Sequence, residues 1–348
     1  MLRHTTPVLL CIYNRPDTTA RVVEALRAVQ PPVIFIAADG ERSVQDGVHC
    51  QAARDIALAG IDWHCEVTTD FSAENLGNRR RISSAITWVF EHVESAIILE
   101  DDCVPHPTFF SFCAELLERY ADEPRLMMIS GTNPLLTWPD SDSPQSYHYS
   151  HWGVAWGWAT WRRAWALYDN QLSALNEPFT LERIRGVIAD DAIFAANLRA
   201  WQQVRDAEID TWDYQWSLSM LAQRGLVAVP SLNLVSNIGF GHDATHTTNP
   251  LALGAQLPVT ALNFPLTHPD VLQTDAAYDR VYSRWHHGQP DAETVLKHAR
   301  RALADGHAAR ALLLLRALTT FCADESPNPA VINLEAEALQ RLRQSHVR

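Results

Sequence analysis

The chain's pattern predicts an α/β fold: a mostly parallel sheet flanked by helices, followed by a small all-helical C-terminal extension. Two observations carry this. Through the first half, short apolar runs alternate with segments of helical spacing, the mark of βα units. Residues 289–348 show helical spacing alone, so 1–288 is read as one large α/β domain and 289–348 as the helical extension.

Val8-Leu9-Leu10-Cys11-Ile12 is the expected first strand, fully buried. Asn14-Arg15-Pro16-Asp17 then turns the chain, with Asp17 expected to cap a helix whose face is Val22, Leu26 and Val29. Val33 to Ala37 is a second strand closing on Asp39-Gly40. Ile82, Ile86, Val89 and Val93 line one helix face, which leads into a strand from Ala96 to Leu99 ending in Glu100-Asp101-Asp102. Pro107–Tyr120 is again helical. From Tyr147 to His246 the pattern loosens and tryptophans become dense, and Pro/Thr-rich sequence follows to about Pro269. Helices are expected at Ala292–Ala304, Ala308–Phe321 and Pro329–Leu342, with Asp305-Gly306 as a turn and no second copy of a repeat signature.

Composition narrows the function. With 41 acidic against 28 basic residues and a net charge of −13, a phosphate-backbone partner is not expected. The six cysteines are scattered without a C-x-x-C pair, so neither a zinc site nor a disulfide framework is expected and a reducing cytoplasm fits. No secretory leader is read at the N-terminus, and no apolar stretch nears the ~20 residues of a membrane span. A lipid-linked acceptor would have to be met from the surface, by peripheral contact with the inner face of the membrane.

Glu100-Asp101-Asp102 is the most informative motif, because ligands of open α/β sheets bind beyond the carboxyl ends of the strands. Three adjacent carboxylates repel one another, and a divalent cation removes that cost; hard oxygen donors suit Mn²⁺ or Mg²⁺. The competing reading is a solvated acidic turn. Arg79-Arg80-Arg81 opens a helix where cations oppose the macrodipole by ~0.3–1 kcal/mol each. That placement makes sense if an anion sits between the arginines and free backbone N–H groups; otherwise they face solvent or pair with acids such as Glu74. Lys297 is the only lysine, and no G-x-G-x-x-G follows the first strand, which excludes a Walker loop and the dinucleotide fingerprint.

Trp158, Trp161 and Trp165 fall at i, i+3 and i+7, read as the core face of a helix. Trp152 and Trp156 precede it in a glycine-punctuated segment where an aromatic face suits the apolar side of a sugar ring. Asp213 stands among Trp212, Tyr214 and Trp216, a setting that raises a carboxyl pKa toward that of a general base; the alternatives are a capping or arginine-paired Asp. His242 and His246 lie in a glycine-rich stretch and are candidate ligands or ordinary loop residues.

In their order these motifs resemble a nucleotide-sugar glycosyltransferase of the Rossmann-like GT-A fold. Bacterial family-2-like transferases and the Golgi N-acetylglucosaminyltransferase I type are both similar, over about residues 7 to 246. The resemblance rests on Asn14-Arg15-Pro16, Ala38-Asp39-Gly40, the arginine-bearing helix, Ile98-Leu99-Glu100-Asp101-Asp102, Pro107-Thr108-Phe109-Phe110, the Trp/Gly segment and Trp212-Asp213. It implies a UDP-sugar donor, a Mn²⁺ or Mg²⁺ cofactor and a glycan, lipid-linked or protein acceptor. By resemblance, Asn14, Arg15 and Asp39 meet the base, and Arg80 or Arg81 faces the diphosphate. Asp101 lies near the ribose beside Glu100, and Trp156 lines the donor site. Asp102 binds the metal with His242 or His246, and Asp213 deprotonates the acceptor, which implies inversion. The N-acetylglucosaminyltransferase I motif has two acids between its tryptophans; here Tyr214 and Gln215 follow Asp213, with Asp210 and Glu208 as neighbouring acids. Two rivals are a sugar nucleotidyltransferase, whose lysine-bearing glycine-rich loop is absent, and a degenerate domain that only binds carbohydrate or acts as a scaffold.

Overall fold

Continuous burial makes Val8–Ile12 a strand, β1, enclosed on both faces as an apolar run in a parallel sheet must be. The computed structural model describes residues 6–138, 145–240, 254–287, 291–321 and 329–345. Helix α1 (Pro16–Val29) starts two residues earlier than expected. Pro16 takes the first helical position, where its missing N–H is harmless, so Arg15 is the N-cap and Asp17 falls inside the first turn.

Next come β2 (Val33–Ala38), α2 (Val44–Gly60), β3 (Glu66–Phe71), α3 (Gly77–His92) and β4 (Ser95–Glu100). They are followed by β5 (Cys103–Pro105), α4 (Pro107–Arg119), β6 (Leu126–Ser130), β7 (Tyr147–Ser150) and β8 (Trp158–Trp161). Four helices come next: α5 (Arg162–Trp165), α6 (Pro178–Ile188), α7 (Asp191–Arg205) and α8 (Asp213–Ala222). Strands β9 (Leu226–Pro230) and β10 (Val235–Asn237) and helix α9 (Ala276–His286) complete this part.

Eight strands form one sheet in the order β3-β2-β1-β4-β8-β6-β9-β7, in which only β7 and β8 run against the rest. Strands β5 and β10 pair separately, antiparallel. The chain builds outward from β1 to β3, then returns to lay β4 on the other side of β1. That reversal places the topological switch point at the carboxyl ends of β1 and β4, where Cys11 pairs with Glu100 and where open α/β sheets commonly bind ligands.

Side-chain alternation splits the core between two layers. Val8, Leu10, Ile97 and Leu99 face α1 and α4, while Leu9, Cys11, Ala96 and Ile98 face α3 and the helices that follow β8. Strand β8 corrects the sequence reading. Trp158, Trp161 and Trp165 are core residues, but Trp158 and Trp161 point to opposite layers of a strand and only Trp165 is helical. Both faces of β8 are buried, so its tryptophans carry no visible two-residue alternation and their spacing mimics a helix. Trp158 stacks on Trp212 at 5.5 Å and 18°, with Trp216 at 5.9 Å and Trp165 at 6.4 Å.

The remaining helices, α10 (Ala292–Ala304), α11 (Ala308–Phe321) and α12 (Pro329–Ser345), pack around a core of their own that includes Leu303, Leu315 and Ala338. Lys297 Nζ donates to the Thr137 carbonyl at 2.7 Å, tying α10 to the segment after β6. Cys11, Cys50, Cys65, Cys103 and Cys113 are free, and no described helix is long and apolar enough to cross a membrane.

His148 on β7 is buried, with neither ring nitrogen hydrogen-bonded, and burial pushes its pKa down to about 4. The unfolded chain therefore binds a proton there between about pH 6.5 and 4 that the folded chain refuses. This contribution to stability is present above pH 6.5 and is lost as the pH falls, by about 1.4 kcal/mol per unit. His148→Phe removes that slope. Its urea midpoint is expected to rise relative to wild type as the buffer goes from pH 7 to pH 5, and a pH-independent difference would contradict the assignment.

Candidate active site

The carboxyl ends of β1 and β4 bring Tyr13-Asn14-Arg15 against Glu100-Asp101-Asp102. Asp101 and Asp102 are buried, and Glu100 is half-buried. The Tyr13 backbone N–H donates to Asp101 at 3.1 Å. Arg15 spans the acids: Nη2 pairs with Asp101, and Nη1 lies 2.9 Å from Asp102 Oδ2. Asp102 Oδ1 accepts from the Cys103 thiol at 3.4 Å.

Burial, then the charges of Asp102 and Asp101, push the Glu100 pKa up to about 8 against the opposing pull of Arg15. Asp213 adds to the same rise, so the first residue of α8 lies within electrostatic reach of the triplet. Burial raises Asp101 to about 6, with Arg15 holding it down. Loss of solvent works against the Arg15 charge, but the three carboxylates outweigh it and raise its pKa. This is a pocket with more negative charge than its one guanidinium neutralises.

Those carboxylates are hard oxygen donors of the kind Mn²⁺ and Mg²⁺ take. Among the described residues, no group of three His, Cys, Asp or Glu side chains could hold a metal unaided. A divalent ion at these acids would therefore need further oxygens from water or a ligand. His242 and His246 lie outside the described residues. The chain leading to them does return here: the Ile238 N–H donates to the Asp102 carbonyl at 2.8 Å. A Cβ at Gly239 would stand 2.0 Å from Asp102 Oδ2 and 2.7 Å from Arg15 Nη1, so only glycine allows so close an approach.

The arginines at the start of α3 do not converge. Arg79 binds Asn170 and the Val204 carbonyl, at 3.0 and 3.1 Å. Arg80 is exposed, and Arg81 is buried with Nη2 2.8 Å from Asp70. The anion expected at this helix start is the protein's own. Asp210 accepts from the N–H groups of Asn78 and Arg79, at 2.9 and 3.2 Å. Asp39 accepts from Leu76 and Gly77, at 2.8 and 3.1 Å. Helix starts leave these donors unpaired, and two carboxylates satisfy them here. Gly77, at φ +76°, lies so close to Asp210 that a Cβ would stand 2.6 Å from its Oδ2. Asp39 also accepts from the Asn75 side chain, at 3.2 Å, and so holds the 75–77 turn.

Asn14 Nδ2 donates to Asp46, as does the Tyr13 hydroxyl, and the Arg42 guanidinium lies 5.2 Å from the Tyr13 ring centre. Tyr13, Arg42 and Asp46 were not read from the sequence. Ser43-x-x-Asp46 is a legible helix start, and Ser43 does cap α2, but nothing in it foretells the turn of Asp46 toward β1.

Asp213 is half-buried; it accepts from the Thr211 hydroxyl and, at 3.1 Å, from the Tyr214 N–H. No arginine pairs with it among the described residues. Trp212 is buried against Trp158, which seats the start of α8. Trp156 is half-buried, edge-on to Phe240 at 5.3 Å. Trp152 is buried against Tyr282 and belongs to the core.

No family model matches the sequence, and no curated protein does. Among solved structures, the crystal structure of UDP-glucose pyrophosphorylase complexed with UDP-glucose is similar, with 8% identity and a TM-score of 0.33. The match covers 66% of this chain and 91% of that one. At that distance it carries no argument about ligand or reaction.

Proposed function

We propose that this protein is a metal-dependent glycosyltransferase that moves a sugar from a UDP-sugar to an acceptor hydroxyl with inversion. The observation that carries the reading is the acid triplet at the carboxyl end of β4, beside β1, with Asp213 in electrostatic reach. Asp102 and Glu100 hold a divalent ion together with the donor diphosphate. A bound Mn²⁺ or Mg²⁺ supplies positive charge to the leaving phosphate. Asp101, fixed by Tyr13 and Arg15, sets the edge of the nucleotide pocket. Trp156 offers an aromatic face to the sugar.

Asp213 takes the proton of the acceptor hydroxyl as that oxygen bonds to the anomeric carbon and the bond to the diphosphate breaks. With Arg79 and Arg81 engaged elsewhere, Arg80 is left as the arginine of α3 to meet donor phosphate. The test is release of UDP from a panel of UDP-sugars with Mn²⁺ or with EDTA. Release that requires the metal is the expected result; no release from any of them, with acceptor sugars supplied, would favour a binding or scaffold protein.

A further inference from the structure

The acid triplet already has a cation. Arg15 reaches Asp102 Oδ2 at 2.9 Å and also pairs with Asp101, while the Cys103 thiol holds Asp102 Oδ1 at 3.4 Å. Both Asp102 oxygens are therefore engaged before any ligand arrives. The base of this arginine is fixed: its carbonyl accepts from the Thr19 hydroxyl at 2.7 Å and from the Thr19 N–H at 3.0 Å. Its guanidinium stands on a flexible stem, with 24% of the side chain exposed. The side chain can therefore swing while the backbone stays.

We propose that Arg15 is a built-in counter-ion that locks the metal site, so that a divalent cation gains Asp102 only as a nucleotide diphosphate draws the guanidinium away. The inference rests on the metal and nucleotide reading given above. Without a ligand, the guanidinium neutralises part of the buried charge and competes directly with a metal for the same oxygen. A diphosphate offers the guanidinium a second anionic partner and offers the metal further oxygens. Each ligand then makes the other's site available, and the coupling is reciprocal by thermodynamic necessity. Arg15 is thus a positioning residue that makes metal binding depend on the nucleotide and keeps the empty site from collecting ions.

The experiment is Mn²⁺ titration by calorimetry, with and without UDP, on wild type, Arg15→Gln and Arg15→Lys. Wild type is expected to bind Mn²⁺ weakly alone and about tenfold or more tightly with UDP, within the usual range of such couplings. Arg15→Gln should bind Mn²⁺ alone about tenfold better than wild type, with most of the enhancement by UDP gone. Arg15→Lys keeps a charge that cannot span both acids and should fall between; it also serves if the glutamine variant folds poorly. If Arg15→Gln binds Mn²⁺ alone no better than wild type while wild type still shows the UDP effect, the lock is overturned and the metal-nucleotide reading stands. If UDP and Mn²⁺ do not affect each other in wild type, that reading falls and takes the lock with it.

Discussion

Asp213→Asn is expected to lower kcat for sugar transfer by about 10²–10⁴-fold, the usual contribution of a general base. The substitution keeps shape and removes basicity. Its local contacts are compatible with an amide, whose oxygen can still accept from the Tyr214 N–H and the Thr211 hydroxyl. Donor affinity should survive, because Asp213 is separated in sequence and in element from the triplet proposed to hold the metal. The informative comparison sets the transfer rate beside UDP affinity in one preparation. Transfer at near wild-type rate would move the base elsewhere, but not to Asp210, whose two oxygens cap α3. Loss of UDP binding as well would put Asp213 in the metal site.

Trp158→Ala should destabilise the fold by about 3–5 kcal/mol, the range for deleting a large buried aromatic side chain. Trp158 is fully buried on β8, paired in register with Ile98 of β4, two residues before Glu100. Its ring stacks on Trp212, the residue before Asp213. One side chain thus joins the strand that presents the acids to the helix that begins with Asp213. Urea unfolding would measure the stability loss, and Trp158→Phe should lose clearly less. A stability loss below about 1 kcal/mol for the alanine variant would mean that the tryptophan layer repacks freely and does not seat Asp213.

The fold was legible where burial is one-sided or a run is uniformly apolar. β1, β2 and β4 stood out as apolar runs, and α1, α3 and α4 as helical faces or segments. α2 left little trace, because it buries only the small residues Cys50, Ala53 and Ala57. β3 left none, because as an edge strand it is largely polar and buries no residue fully. β8 was misread because a strand buried on both faces shows no alternation.

The site divides in the same way. Glu100-Asp101-Asp102 was readable as an acid cluster at a strand end. The arginine run was readable as charge, but not its destinations. Nothing local says that Asp210, far along the chain, will occupy the start of α3, or that Asp70 will take Arg81. The electrostatic reach of Asp213 to Glu100 likewise depends on tertiary packing, which no local pattern foretells. The salt bridges of Arg15 to Asp101 and Asp102 went unforeseen because a residue next to a turn was read only for its ligand.

If Asp102 holds a divalent ion together with a nucleotide diphosphate, calorimetric titration of UDP will register the coupling. With Mn²⁺ present, wild type should bind UDP at least about tenfold more tightly than in EDTA, a difference of about 1.4 kcal/mol or more. Asp102→Ala should bind UDP equally in both buffers. Equal affinity of the wild-type protein for UDP in Mn²⁺ and in EDTA would mean that these acids do not hold a metal with the nucleotide.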